Sequence, residues 1–183
     1  MSDITYPHYS EDDNSSRGSH IEVVDSSGKP LLVMPSATAH SQRLAMKSVF
    51  VLIYNKQGKV FLQRRSNSKA LAPGKWDISA ATHVGVNEAL EAAAERVLQK
   101  ELNLSAVALH YQKSQEEQIE DATLWISLYS ADIGNRPLSP NPDEVQDGLF
   151  VDAEELQSLY DHFPDTLTPV LEWAVRCNII FGT

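Results

Sequence analysis

Cysteine and long apolar runs are the scarcest features of this 183-residue chain. Cys177 is the only cysteine, so no disulfide can form within the chain, and we expect a reducing compartment, the cytoplasm. No apolar run reaches the length of about 18 residues that a membrane-spanning helix needs, and the first residues lack a signal-peptide pattern. The sequence therefore predicts a soluble cytoplasmic protein without a membrane partner.

Positive charge is also scarce. Lys and Arg number 15 against 25 for Asp and Glu, which gives a formal net charge of −10 at pH 7. Nucleic acids and anionic lipid surfaces attract basic proteins, so this balance argues against both as partners. It is compatible with a local basic patch that binds a small phosphorylated molecule.

Apolar residues are present in ordinary amounts, at 42% of the chain, which is enough for one domain with a sizeable core. Residues 1–19 are polar, with little to bury, and predict a disordered N-terminal tail. The folded domain is expected to span residues 20–178, and residues 179–183 are expected to form a C-terminal tail.

Most of this domain has the composition of β-strands separated by turns. β-branched and aromatic residues fill residues 47–55 and 59–66, which predict a hairpin, and Gly28 marks the turn of a smaller hairpin before it. The other predicted strands are residues 106–115, 122–133 and 144–152, with an acidic turn at 116–121. The other predicted helices are residues 36–44, 153–163 and 165–177, capped in the first two cases by Ser36 and Asp152. Mixed strands and helices in this order predict an α/β fold.

The densest basic cluster ends the second strand of the main hairpin and contains Arg64, Arg65 and Lys69. A guanidinium group can hold a phosphate through two hydrogen bonds, so these residues are candidate phosphate ligands. The alternative is that the two arginines are solvated at a strand end. Trp76 either stacks on a base or belongs to the core. We therefore predict Arg64, Arg65, Lys69 and Trp76 as substrate-binding residues.

A central helix is predicted from about Asn87, its expected N-cap, to Leu102. Small and aliphatic side chains recur on one side of it, which is typical of a helix that packs on a sheet. The members of this apolar side are Ala92, Ala93, Ala94, Val97, Leu98 and Leu102.

The region of this helix resembles the signature of the Nudix hydrolases, G-x5-E-x7-R-E-U-x-E-E-x-G-U, where U is aliphatic. With the signature arginine on Arg96, its first glutamate is Glu88, its last is Glu101, and its aliphatic positions are Leu98 and Leu104. The positions that differ from the signature are Thr82, Val97, Lys100 and Asn103. The box is therefore degenerate, and Glu88 and Arg96 are expected to keep its structural role.

Segments outside the box resemble the isopentenyl-diphosphate-isomerase-like branch of this superfamily, over roughly residues 20–178. The segments QRRS, PGKWDIS and NPDEV occur in the order of that branch. The resemblance implies a Nudix-type α/β/α sandwich, with the box helix on one face of a central mixed sheet and the C-terminal helix on the other. The isomerase itself uses a cysteine before the box, where this chain has Ala80, Ala81 and Thr82, so isomerisation is excluded.

Two of the substituted positions, 97 and 100, are among those that bind metal in the family, where Mg²⁺ or Mn²⁺ binds the diphosphate and activates water. Positions 97, 100 and 101 share one face of a helix, where three carboxylates can hold Mg²⁺. Here only Glu101 is an acid, predicted as the catalytic and metal-binding residue, and the cation of Lys100 opposes a metal beside it. Glu144 is predicted as a second metal ligand. Further candidates are Glu116, Glu117 and Glu120.

Three functions are compatible with this sequence. The first is a Nudix hydrolase homologue with at most weak hydrolysis of a nucleoside or sugar diphosphate, with Mg²⁺ or Mn²⁺ as cofactor if it is active. The second is a catalytically silent module that binds a nucleotide or phosphate, with Lys100 in place of the metal. The third is a structural or partner-binding domain without a ligand. Nudix proteins are often dimers, so the resemblance also allows a homodimer.

Overall fold

The computed structural model describes residues 20–182. Its nine strands form one sheet, and four helices pack on that sheet. The strands are β1 (His20–Val24), β2 (Pro30–Pro35), β3 (Met46–Tyr54), β4 (Val60–Arg65), β5 (Trp76–Asp77), β6 (Ala80–His83), β7 (His110–Ile119), β8 (Ala122–Asp132) and β9 (Val145–Val151). The helices are α1 (Ser36–Ser41), α2 (Leu90–Leu102), α3 (Ala153–His162) and α4 (Pro169–Arg176). The expected N-terminal tail lies outside the described residues.

β3 organises the sheet. It runs parallel to β8 along its whole length and antiparallel to β6, and its start also pairs with β1. β4 continues the sheet from the end of β3 and lies antiparallel to both β5 and β9. Parallel and antiparallel pairs therefore occur in one sheet, which confirms the predicted mixed sheet.

Alternate residues of β3 enter two separate cores, because successive side chains of a strand point to opposite faces. Val49 and Val51 pack with residues of α2, including Val97 and Leu98. Phe50 packs on the other face with residues of α4, and its ring meets the ring of Trp173 edge-on at 5.9 Å. The helices thus cover both faces of the sheet, and the predicted α/β/α sandwich is confirmed.

Local capping rules explain where the C-terminal helices begin. Asp152 accepts a hydrogen bond from the backbone N–H of Glu155, and the Glu155 side chain accepts one from the backbone N–H of Asp152, which completes a capping box at α3. Thr168 caps α4, and Pro169 occupies its first position, where no backbone N–H is needed. The helix predicted from residue 165 therefore begins at Pro169.

The central helix begins later than predicted, because α2 starts at Leu90 rather than near Asn87. Asn87 has φ +58°, a left-handed conformation that cannot open a right-handed helix. Ala89 is the N-cap residue instead, and it supplies no side-chain hydrogen bond.

Other predicted boundaries are also wrong, and β7 begins at His110 rather than at residue 106. α1 ends at Ser41 rather than Leu44. β7 extends through Glu116 and Glu117 to Ile119, so the turn that follows it is shorter than the acidic turn expected at 116–121. Cross-strand pairing with β8 accounts for this, because Glu116 and Glu117 face Trp125 and Leu124 in a ladder that is regular from Lys113 to Ile119. None of the helices within residues 20–182 is long and apolar enough to cross a bilayer.

Candidate functional site

The loop before α2 is held by an ion pair between Glu88 and Arg96. Arg96 donates from Nε to Glu88 Oε1 at 2.7 Å and from Nη2 to Glu88 Oε2 at 2.9 Å. Glu88 Oε2 also accepts the backbone N–H of Gly85, and Arg96 donates to the His83 carbonyl. The hydrogen bond from Arg96 lowers the pKa of Glu88 below its usual range. These two residues thus join the helix to the loop before it.

This ion pair leads to a pH-dependent prediction. Since the folded-state pKa of Glu88 is lowered, its contribution to stability is present above the unfolded pKa of about 4.3 and is lost as the pH falls through the folded value. Glu88→Gln is expected to lower the free energy of unfolding by about 1–2 kcal/mol at pH 7. This value is at the lower end of the range for hydrogen bonds to charged groups, because Arg96 is partly exposed to water. Urea denaturation at pH 7 and pH 3.5 measures this. The difference between variant and parent should shrink at pH 3.5, and Glu95→Gln, on the same helix, should have little effect at either pH.

The C-terminal end of α2 is fixed by the loop between β8 and β9. Asn103, where the signature has glycine, takes the left-handed conformation itself, with φ +50°. Asn141 donates from its backbone to the Glu101 carbonyl at 2.8 Å and from its side chain to the Lys100 carbonyl at 3.1 Å. These bonds satisfy carbonyls that a helix end leaves without partners. They also hold the loop against α2, so that Glu144, three residues after Asn141, lies beside the helix.

Glu101 is almost fully buried, with 1% of its surface exposed. Its Oε2 accepts a hydrogen bond at 2.9 Å from the side-chain amide of Gln63 in β4. That amide also donates to the Ser79 carbonyl, so its orientation is fixed from two sides. The predicted metal-binding acid Glu101 is therefore buried, and a neutral amide donates to its carboxylate.

Val97 and Lys100, the residues at the two other positions predicted from the resemblance to bind metal, have different environments. Val97 is 1% exposed and packs in the apolar core between α2 and the sheet. Lys100 is at the surface of the site and forms an ion pair with Glu144 Oε1 at 3.5 Å. Lys69 pairs with the other oxygen of the same carboxylate. Only 10% of the Lys69 side chain and 15% of the Glu144 side chain are exposed, so this pairing lies largely away from solvent.

These residues do not fit Mg²⁺ or Mn²⁺. Such hard cations need several oxygen ligands, commonly carboxylates. Glu101 already binds Gln63, and Glu144 lies between the ammonium groups of Lys69 and Lys100. Within residues 20–182 no group of three or more His, Cys, Asp or Glu side chains could hold a metal ion. The carboxylates of this site are therefore already engaged by Gln63, Lys69 and Lys100.

The further candidate acids, Glu116, Glu117 and Glu120, lie at the end of β7 and in the turn after it. Glu117 Oε2 accepts a hydrogen bond from the Trp173 indole at 3.2 Å. Burial raises the pKa of Glu120, and the nearby charges of Glu172 and Asp121 raise it further. Glu116 lies within β7, opposite Trp125 in β8. Glu117 and Glu120 thus lie near α4, whose core is on the opposite face of the sheet from α2.

The predicted basic cluster is divided by the fold. Arg64 is exposed, donates to the Gly74 carbonyl at 2.9 Å and lies 5.9 Å from the centroid of the Trp76 ring. Trp76 is half-buried against the core that contains α4. Arg65 is 3% exposed and pairs with Asp77. Lys69 is therefore the member of the predicted cluster that the structure brings to the box helix.

Gln63 and Asn141 are site residues that the sequence analysis missed. A polar side chain that directly follows buried apolar residues in a strand is a signal for a buried polar partner, and Gln63 follows Val60, Phe61 and Leu62 in β4. Asn141 gave no comparable signal, because its partners are backbone carbonyls of a helix that is distant in the chain.

Comparison with known proteins places this architecture among relatives. The family model of the NUDIX domain matches residues 45–174. An uncharacterized Nudix hydrolase of Pseudomonas aeruginosa is 30% identical over 151 residues, which cover 80% of this chain and 88% of that protein. Another of Yersinia pestis is 29% identical over 161 residues, which cover 86% of this chain and 87% of that protein.

A solved structure gives the same result for the fold. The crystal structure of a Deinococcus radiodurans protein superimposes with a TM-score of 0.74 and covers 86% of this chain and 98% of its own. Its sequence identity of 21% supports a common fold and nothing more specific.

Proposed function

This chain belongs to the Nudix family, and on that premise we propose that it is a homologue of the isopentenyl-diphosphate-isomerase-like branch with a degenerate box. Its metal-dependent hydrolysis of nucleoside or sugar diphosphates is weak at most. The predicted compartment is the cytoplasm, and the predicted partner is a small molecule rather than a nucleic acid. A homodimer stays a prediction, which light scattering checks.

The observation that carries this proposal is the ion pairing of Glu144 with Lys69 and Lys100. A divalent cation that approached Glu101 would be repelled by the ammonium group of Lys100, the preceding residue. At an effective dielectric constant of about 20, a monovalent and a divalent charge about 6 Å apart repel by several kcal/mol. Metal binding therefore competes with an existing cation, and the hydrolysis that depends on it is correspondingly weak.

The same observation favours a second candidate, a silent module that binds the diphosphate without cleaving it. Lys69 and Lys100 can turn from Glu144 to a phosphate, since an ammonium group binds either anion. The exposed guanidinium of Arg64 lies over the half-buried ring of Trp76, and both residues stay predicted contacts for the rest of the ligand. In this candidate the chain supplies binding and orientation, and no residue is assigned a proton transfer.

One set of measurements distinguishes the two candidates. Turnover of nucleoside and sugar diphosphates with Mg²⁺, with Mn²⁺ and with EDTA is expected to be low in all three conditions. ADP binding measured by calorimetry in EDTA is expected to weaken about tenfold in Lys100→Ala, because a charged contact of about 1.4 kcal/mol is removed. Lys56→Ala, which removes an exposed lysine on the β3–β4 turn, is the control.

Rapid turnover that EDTA abolishes would overturn the proposed weak activity and the silent module together. Equal ADP affinity in the parent, Lys100→Ala and Lys56→Ala would remove Lys100 from the binding site. Absence of ADP binding in EDTA would remove the silent module and leave weak hydrolysis to be measured alone.

A further inference from the structure

A cavity lies on the face of the sheet opposite to α2. Its volume is about 480 Å³, within the range of about 300–1,000 Å³ typical of small-molecule sites. Leu52 and Leu128 line it, and both belong to the core that contains α4 rather than to the core that contains α2. The segment after α4, from Cys177 to Gly182, forms its other wall. The cavity is therefore separate from Glu101 and Lys100.

An irregularity in β7 directs two consecutive polar side chains to this cavity. The pairing of β7 with β8 shifts between Tyr111 and Lys113, so Gln112 is an extra residue on its strand. Successive residues of a regular strand point to opposite faces, yet both Gln112 and Lys113 line the cavity. Gln112 donates to Ser130 Oγ at 2.8 Å and to the His110 carbonyl at 3.2 Å, which fixes its amide.

Two hydrogen-bond donors on the cavity wall have no partner within residues 20–182. The ammonium group of Lys113 makes no ion pair there, and the side-chain amide of Asn178 makes no hydrogen bond. Lys113 is exposed in a chain with a net charge of −10. The cavity thus offers one cation and one neutral donor. These two groups suit a ligand with one negative charge better than a ligand with two.

The rest of the lining is apolar or already bonded. Leu52, Leu128 and Ile179 supply aliphatic surface. The Tyr54 hydroxyl donates to the Ile180 carbonyl at 2.5 Å, and burial raises the pKa of Tyr54 to about 12. Tyr54 therefore stays neutral at physiological pH and adds no second charge to the wall.

We propose that this cavity binds a small amphiphilic carboxylate. The carboxylate contacts Lys113 and Asn178, and the apolar body packs on Leu52, Leu128 and Ile179. A phosphate ester with two charges would leave one charge without a matching cation among these residues. This site goes beyond the proposed diphosphate site and does not depend on it.

Calorimetry with octanoate tests the proposal. The parent is expected to bind octanoate, and Lys113→Met is expected to weaken binding about tenfold, since it removes one charge-assisted contact and keeps the length of the side chain. The binding of 1-octanol, which has no charge, should change less than twofold. Lys56→Met is the matched control, because Lys56 is an exposed lysine that does not line the cavity.

Cys177 provides an independent measurement, because it is the only cysteine and it lines the cavity. Saturating octanoate should slow the reaction of Cys177 with a thiol reagent in the parent, and the effect should need more octanoate in Lys113→Met. Absence of octanoate binding to the parent would overturn the proposal. Equal affinity in the parent and Lys113→Met, or unchanged labelling of Cys177 at saturation, would overturn it as well.

Discussion

Replacing Arg65 by alanine is expected to lower the free energy of unfolding by about 3–5 kcal/mol, because a buried charge loses its partner. Arg65 Nη1 lies 3.3 Å from Asp77 Oδ2, and both side chains are at most 3% exposed. Asp77 Oδ1 accepts a hydrogen bond from Thr168, which caps α4. Removal of Arg65 therefore leaves a buried carboxylate uncompensated at the point where α4 joins the sheet.

Urea denaturation of Arg65→Ala and Arg64→Ala measures this effect. Arg64 is the matched control, because it precedes Arg65 in the same strand but is exposed, and its removal should cost about 1 kcal/mol or less. An equal loss of stability in both variants would contradict the structural role of Arg65. The sequence suggested instead that Arg65 binds phosphate, with a smaller effect on stability, and its burial is the reason for the changed expectation.

The double substitution Val97→Glu with Lys100→Glu is expected to destabilise the protein strongly without metal and to make it respond to Mg²⁺ or Mn²⁺. Glutamate at position 97 places a charge where Val97 is 1% exposed among apolar side chains, which costs about 3 kcal/mol or more. Lys100→Glu removes an ion pair with Glu144 and adds a third acid near Glu101. A bound dication can offset both costs, so diphosphate hydrolysis should also exceed that of the parent.

Thermal unfolding with EDTA, Mg²⁺ and Mn²⁺ tests this prediction, with calorimetry for the affinity of the metal. The control is Val97→Ala, which removes side-chain volume without adding a ligand and should not respond to metal. Identical metal affinity in the double variant and the parent would mean that Val97 and Lys100 do not occupy metal-ligand positions. Asn103 should not limit the recovered activity through the helix end, because it already has the left-handed conformation that the signature glycine provides.

Sequence by itself determined the elements whose signals are local. β-Branched and aromatic composition predicted β3 and β4, and Asp152 was predicted to cap the helix that α3 forms. Asp152 and Glu155, for example, are three residues apart. Each of these features depends on residues that are near each other in the chain, so neighbouring residue types are enough to specify them.

Only the tertiary structure decided which side chains meet in the site. Arg64 and Arg65 are neighbours in sequence, yet one is exposed and the other is buried with Asp77, because packing around β5 and α4 surrounds only the second. Lys69 and Glu144 are far apart in the chain and come together because β4 pairs with β9. The physical reason is that a charged side chain takes its partner from whichever element packs beside it, and composition does not specify that element.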